Sequence, residues 1–295
     1  MNPDPGDYLN SSKIAKFTLL TLVFSLTYFY NPRNAKPLFL PMAARADTIK
    51  TLLLKEKSAT KKKRKTIYLT FDDGPNKGTQ NVLNIINNEK ISATLFVIGE
   101  HVYGSRLQNA LYDSILASSY IEIANHSYSH AYENRFAKFY AMPDSVINDF
   151  KRCADSLELT SNIIRTPGRN IWRLKNISHT DINSSSAAAD SLYKRGYKLI
   201  GWDLEWHYNN NLEAIETTDE LVKKLDSMFI HNQTKTIDHL VLLAHDQVYK
   251  NTTDSGSLHR FVSTLKEKTE YDFALVNQYP GIHNTNDPDS VVNKK

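Results

Sequence analysis

Seven short apolar runs separated by helical patterns constrain this chain more than any other feature. The runs occupy 66–73, 92–99, 121–127, 163–167, 197–206, 239–246 and 271–277, and several are almost continuously apolar, as in ATLFVIG and LVLLA. A strand apolar on both faces must be covered on both faces, which is the condition of a parallel sheet. Amphipathic patterns over 80–89, 145–157, 187–195, 218–229 and 257–268 fall between most of them. Strict alternation of strand and helix predicts a parallel sheet with helices packed on it. Seven such units predict a closed or nearly closed α/β barrel in a single catalytic-sized domain over 66–277.

The flanks read differently. Residues 17–30, FTLLTLVFSLTYFY, carry no charge and come after Lys13 and Lys16. Fourteen residues suit the apolar core of an export signal and fall short of the roughly 20 that span a bilayer. Ala44-Arg45-Ala46 resembles a small-residue cleavage site, whereas Arg33, Lys36, Arg45 and Lys50 weigh against export of the chain beyond the apolar run. Residues 1–46 are therefore expected to be a signal peptide or membrane anchor, with attachment through 17–30 and an extracytoplasmic body. Residues 47–65, ending in KKKRK, read as a basic linker, and 278–295 as a loose tail.

The charge distribution excludes one class of partner. Of the Lys and Arg residues, 13 fall in 1–65 against 4 Asp and Glu, leaving 23 against 28 in the body. A nucleic-acid binder would carry its basic surface on the folded domain, and this one does not. The one cysteine, Cys153, permits no intrachain disulfide and no cysteine-rich zinc module, and it reads as a packed thiol.

In such a sheet, chemistry belongs at the C-terminal ends of the strands, where the βα loops open. The first strand ends in Asp72-Asp73-Gly74-Pro75, two adjacent carboxylates for which a cation is the simplest compensation. The third ends in His126-Ser127-Tyr128-Ser129-His130, whose imidazoles share one face if a helical turn begins there. Two imidazoles and one carboxylate leave coordination positions open, the arrangement of a catalytic rather than a structural divalent site.

The ordered set TFDDGP (70–75), HSYSH (126–130), RTPG (165–168), GWDLEW (201–206) and LLAHD (242–246) resembles the polysaccharide deacetylases, the carbohydrate esterases with a nodulation-factor deacetylase domain. The resemblance covers about 66–277 and implies a distorted (β/α)7 barrel acting on an acetylated glycan. It implies that Asp73, His126 and His130 bind a divalent metal, usually zinc in that family. Asp72 would be the general base, His245 the general acid, and Arg165 would hold Asp72. A backbone N–H near Pro167 and Gly168 would face the developing oxyanion.

Two motifs depart from the family pattern. The third normally carries an aromatic between Pro and Gly, whereas Gly168 directly succeeds Pro167 and Arg169 comes next. The fourth commonly ends in Asp-Trp, so either Asp203 or Glu205 would partner His245. Trp206 and Leu243 would wall the substrate groove, Trp202 reads as barrel packing, and His101 as a helix-start or surface residue. The implied reaction is removal of N-acetyl groups from peptidoglycan, a chitin-type oligomer or an exopolysaccharide. An O-acetyl xylan, a small amide, or glycan binding without turnover are the competing expectations.

Overall fold

The computed structural model describes residues 64–283. The expected signal or anchor, nearly all of the basic linker, and the tail beyond His283 lie outside the described residues.

Ten strands form one curled sheet. They are β1 (Lys65–Gly74), β2 (Ala93–Val97), β3 (Ile121–Asn125), β4 (Ile163–Ile164), β5 (Ile171–Leu174), β6 (Ile177–Thr180), β7 (Lys198–Leu199), β8 (Leu204–Glu205), β9 (His239–His245) and β10 (Tyr271–Phe273). The order is β6-β5-β7-β4-β3-β2-β1-β9-β8, with β10 added beside the start of β1. All pairings are parallel except those made by the β5–β6 hairpin. Helices α1 (Thr79–Glu89), α2 (Gly99–Val102), α3 (Arg106–Leu116), α4 (Phe136–Tyr140), α5 (Pro143–Ser156), α6 (Ser186–Lys194), α7 (Thr218–Ile230) and α8 (Thr252–Glu267) fill the connections.

The curl is a consequence of chain length. The run over 197–206 is not one strand but two: β7 pairs with β4, and β8 pairs with β9. Five other strands separate β7 from β8 along the sheet path. In a flat sheet that distance is about 29 Å, at about 4.8 Å per step. The five residue steps from Leu199 to Leu204 reach at most about 18 Å. The sheet must bend until β7 and β8 approach, which curls it toward the nearly closed barrel that the alternation predicts.

Side-chain alternation then sorts β1 into two environments. Ile67, Leu69 and Phe71 point outward and pack with Val82, Leu83 and Ile86 of α1 and with Leu258, Phe261 and Val262 of α8. Tyr68, on the other face, joins Phe96, Trp172 and Val241 in the barrel interior. Thr70 and Asp72 continue that inner column toward the strand end. The helices are anchored locally: Ser105 caps α3, Pro143 opens α5, and Thr217 with Glu220 forms a capping box on α7.

Two expectations need correction. The antiparallel β5–β6 hairpin departs from the strict alternation, and no periodicity marks it because WRL and SHT lack a clean period. The domain also extends past 277, since Tyr279 packs on Tyr68 and Trp172 and Ile282 is buried, so the tail does not begin at 278.

Candidate active site

The end of β1 is irregular, and that irregularity builds the site. Two adjacent residues of a regular strand face opposite sides. Here the β1–β2 register shifts between Asp72 and Gly74, and Asp73 takes a left-handed φ of 74°. This bulge turns both carboxylates toward the same imidazole. His126 Nε2 lies 3.6 Å from Asp72 Oδ2 and 3.4 Å from Asp73 Oδ1.

His126 is aimed from behind. Its Nδ1 donates to the Arg165 carbonyl at 3.0 Å, which fixes the ring with Nε2 facing the acids. His130 Nε2 reaches Asp73 Oδ1 at 3.2 Å. The two imidazoles are not brought together by an ordinary helical turn, as the HxxxH spacing suggests. Ser127 has a φ of 69°, and the backbone from His130 to Asn134 is left-handed, with φ between 46° and 69°. Such backbone costs about 1–2 kcal/mol per residue and persists only where the surroundings enforce it. Enforcement comes from Asp149 on α5, whose carboxylate accepts the N–H groups of Tyr128 and Ser129, and from Ser129, which caps Tyr132 N–H.

The donor set fits a divalent metal. Among the described residues, the ligand atoms of Asp73, His126 and His130 lie within 4.8 Å of one another. Asp73 Oδ1 is buried with no hydrogen-bond donor aimed at it, a cost that a shared cation removes. Burial alone would raise the Asp73 carboxyl, but the neighbouring imidazoles His126 and His130 and the charge of His245 hold it well below the usual range.

Arg165 occupies the barrel interior, fully buried. Its guanidinium donates to Asp72 Oδ1 at 2.8 Å, Thr70 Oγ1 at 2.8 Å, Ile200 O at 3.1 Å and Gly201 O at 2.9 Å, and it lies over the Phe96 ring. A buried charge is tolerated when paired and saturated in this way. Across the strand pairing, Asp72 and His245 are direct neighbours in register, so the two groups stand at one level on β1 and β9.

A cleft of about 670 Å³ opens here, lined by Asp72, Asp73, His126, His130 and His245 together with Glu205, Gly168, Leu243 and Trp202. Other expected residues lie elsewhere. Asp203 N–H donates to Val241 O, level with the middle of β9 and about 13 Å along the strand from His245. The Asp203 carboxylate accepts from Lys235 N and Val241 N, so it braces the chain and does not partner His245. Burial pushes this carboxyl up to about 6. Glu205 does line the cleft, yet His245 Nδ1 is buried without a hydrogen-bond partner. Trp206 and Trp202 exchange the places expected of them. Trp206 is core, packed on Tyr249 and Phe261 with its N–H on Glu216 O, and Trp202 walls the cleft. Pro167 contributes its carbonyl to the Tyr140 hydroxyl and is not part of the lining.

Several lining residues carry no signal in the sequence. Tyr208, in the loop after β8, packs edge-on against His245 at 4.9 Å. His101 donates to the Asp73 carbonyl at 2.8 Å. Phe136 of α4 presses on Gly168, where a Cβ would meet its ring at 2.7 Å, so an aromatic absent from the third motif arrives from another element. Asp246 is buried and bonded to Asn76 and Thr79, tying the end of β9 to the loop after β1.

Fold and site together define a curled α/β barrel with an acid–histidine cluster that could hold a metal ion at the C-terminal ends of its strands. Residues 59–172 match the family model described as Polysaccharide deacetylase. A peptidoglycan-N-acetylglucosamine deacetylase of Bacillus cereus is 29% identical over 188 residues, covering 63% of this chain and 61% of that protein. A chitin disaccharide deacetylase of Vibrio alginolyticus is 26% identical over 206 residues, covering 49% of this chain and 48% of the relative. The chain thus spans about half to three-fifths of the length of these two curated relatives. The fold is shared with the catalytic domain of a peptidoglycan N-acetylglucosamine deacetylase from Eubacterium rectale, with a TM-score of 0.55, 21% identity, and coverage of 77% of this chain and 98% of that one. It is shared also with a family 4 carbohydrate esterase from Streptomyces lividans, with a TM-score of 0.52, 20% identity, and coverage of 74% and 95%.

Proposed function

We propose that this protein removes N-acetyl groups from an N-acetylglucosamine-containing glycan, of the peptidoglycan, chitin-oligomer or exopolysaccharide type, outside the cytoplasm. One observation carries the reading: Asp72 and His245 stand side by side on adjacent strands, with the Asp73–His126–His130 cluster beside them in one cleft. The names of the relatives, two deacetylases of N-acetylated glycans, support the substrate class.

An acetamide resists water for two reasons: the nucleophile is weak and the amine leaves poorly. The divalent metal that Asp73, His126 and His130 would hold, zinc by family resemblance, supplies Lewis acidity that lowers the pKa of water and polarises a carbonyl. Asp72 takes the proton of the attacking water through Oδ2, because Oδ1 is committed to Arg165. Arg165 keeps that carboxylate pointed at the cleft from inside the barrel. His245 delivers a proton to the departing nitrogen from the neighbouring strand. Trp202, Leu243 and Tyr208 supply the apolar walls that seat the acetyl group and the sugar ring and keep bulk water away.

The test is acetate release by the full chain, metal-loaded and chelated, from N-acetylglucosamine oligomers, peptidoglycan fragments and acetylated xylan. Chelator-sensitive acetate from the first two is expected. Acetate from xylan alone would move the reading to an O-acetyl esterase, and none from any would overturn deacetylation of these glycans.

A further inference from the structure

The cleft is lined by Glu100, Glu133 and Glu205 besides the two aspartates, and by no lysine or arginine. Its wall therefore offers an anionic substituent of a neighbouring sugar no lysine or arginine to pair with. Immediately outside, sharing Asn134 and Phe136 as a common wall, is a shallow open depression lined by Arg135, Lys138 and Arg169.

Arg169 is held in place without being neutralised. Its Nε donates to Ser185 Oγ at 3.2 Å and Nη1 to Gly168 O at 2.7 Å. The guanidinium lies over the rings of Phe136 and Tyr140, at 5.2 and 5.4 Å. No carboxylate pairs with it among the described residues. Lys138 is exposed and likewise has no ion-pair partner among them, while Arg135 has only a 4.0 Å contact with exposed Glu133. A guanidinium fixed by two bonds and two rings has already lost the side-chain freedom that binding would otherwise cost, and its remaining donors are free for a planar anion.

Resting on the deacetylase reading above, we propose that Arg135, Lys138 and Arg169 form a subsite for the carboxylate of a sugar next to the N-acetylglucosamine being deacetylated. The preferred substrate is then a glycan in which N-acetylglucosamine alternates with a carboxylate-bearing sugar. Two sources share that chemistry: the lactyl carboxylate of muramic acid in a glycan strand freed of its stem peptides, and the uronate of an acidic exopolysaccharide. A uniform chitin oligomer would leave the subsite unused.

The experiment compares kcat/KM for acetate release by the full chain on three tetrasaccharides: chitotetraose, an N-acetylglucosamine–muramic acid oligomer without peptide, and an N-acetylglucosamine–glucuronate oligomer. Arg169→Gln should lower the value for a carboxylate-bearing oligomer about tenfold, and exposed Lys138→Gln about threefold, while Lys138→Gln leaves chitotetraose unchanged. Arg169→Lys should restore part of the loss. Rising salt should depress the carboxylate-bearing substrates and spare chitotetraose. A loss confined to one oligomer names the source. Equal losses on all three, or none, overturn the subsite. If no oligomer releases acetate, the deacetylase reading fails instead, and titration of the same oligomers still decides the subsite: Lys138→Gln must weaken binding of a carboxylate-bearing one and not of chitotetraose.

Discussion

The ring of Tyr208 meets that of His245 edge-on, with centroids 4.9 Å apart and planes at 66°. His245 Nδ1 has no hydrogen-bond partner, so this aromatic contact, rather than a carboxylate, fixes the imidazole on its open side. Such pairs contribute about 0.5–1.5 kcal/mol beyond their buried area.

Tyr208 is therefore a positioning residue whose ring matters more than its hydroxyl. Tyr208→Phe should retain kcat within about twofold, whereas Tyr208→Leu should lower kcat about tenfold with little change in KM. A Phe variant as impaired as the Leu variant would instead assign the role to the hydroxyl.

Base and ligand are separable by mutation. Asp72→Asn should abolish acetate release while metal content, measured by elemental analysis, stays that of the parent. His126→Ala should lose metal and activity together. Substantial activity in Asp72→Asn would remove Asp72 from the proton transfer.

Removing Arg165 leaves a buried carboxylate with its charge uncompensated. Arg165→Gln should lower unfolding free energy in urea by about 3–5 kcal/mol. A loss below about 1 kcal/mol would mean that Asp72 does not depend on that guanidinium for its place.

Asp203 predicts a pH dependence of stability. Its folded carboxyl is raised to about 6 by burial, above the ordinary value of 3.8. Between those values the folded state binds the proton more tightly than the unfolded chain does, so stability falls as pH rises. The stabilisation is full below about 4 and lost above about 6. Tm of the wild type minus Tm of Asp203→Ser should shrink across that window, and a difference that is flat or grows with pH would contradict the assignment.

Cys153 is fully buried on α5 beside the Val97 carbonyl, and burial pushes its thiol up to about 12. A chromogenic thiol reagent should react with none of it in the native protein and with one equivalent in denaturant. Rapid native reaction would show that α5 opens readily.

The sequence made the barrel legible because β2 and β9 are apolar on both faces and α1 and α7 carry their period cleanly. Asp72, Asp73, His126, His130 and His245 were legible for a related reason: polar residues at the ends of such strands have few structural excuses. The hidden part was set by tertiary geometry. Nothing in GWDLEW says that the chain crosses from β7, beside β4, to β8 at the far edge of the curled sheet between Leu199 and Leu204, and that crossing sends Trp206 into the core and Trp202 to the cleft. Tyr208 and Phe136 sit on a loop and a five-residue helix, where no period announces a facing direction.

The left-handed backbone at Asp73 has a consequence for how this protein can change. Few side chains rest there easily, and Asn is the main alternative to Asp and Gly. Asn keeps the shape of the bulge and discards the charge. A single amide in place of that carboxylate would leave the barrel intact and the cation unheld, so lineages of this fold stand one substitution from a silent, well-folded descendant.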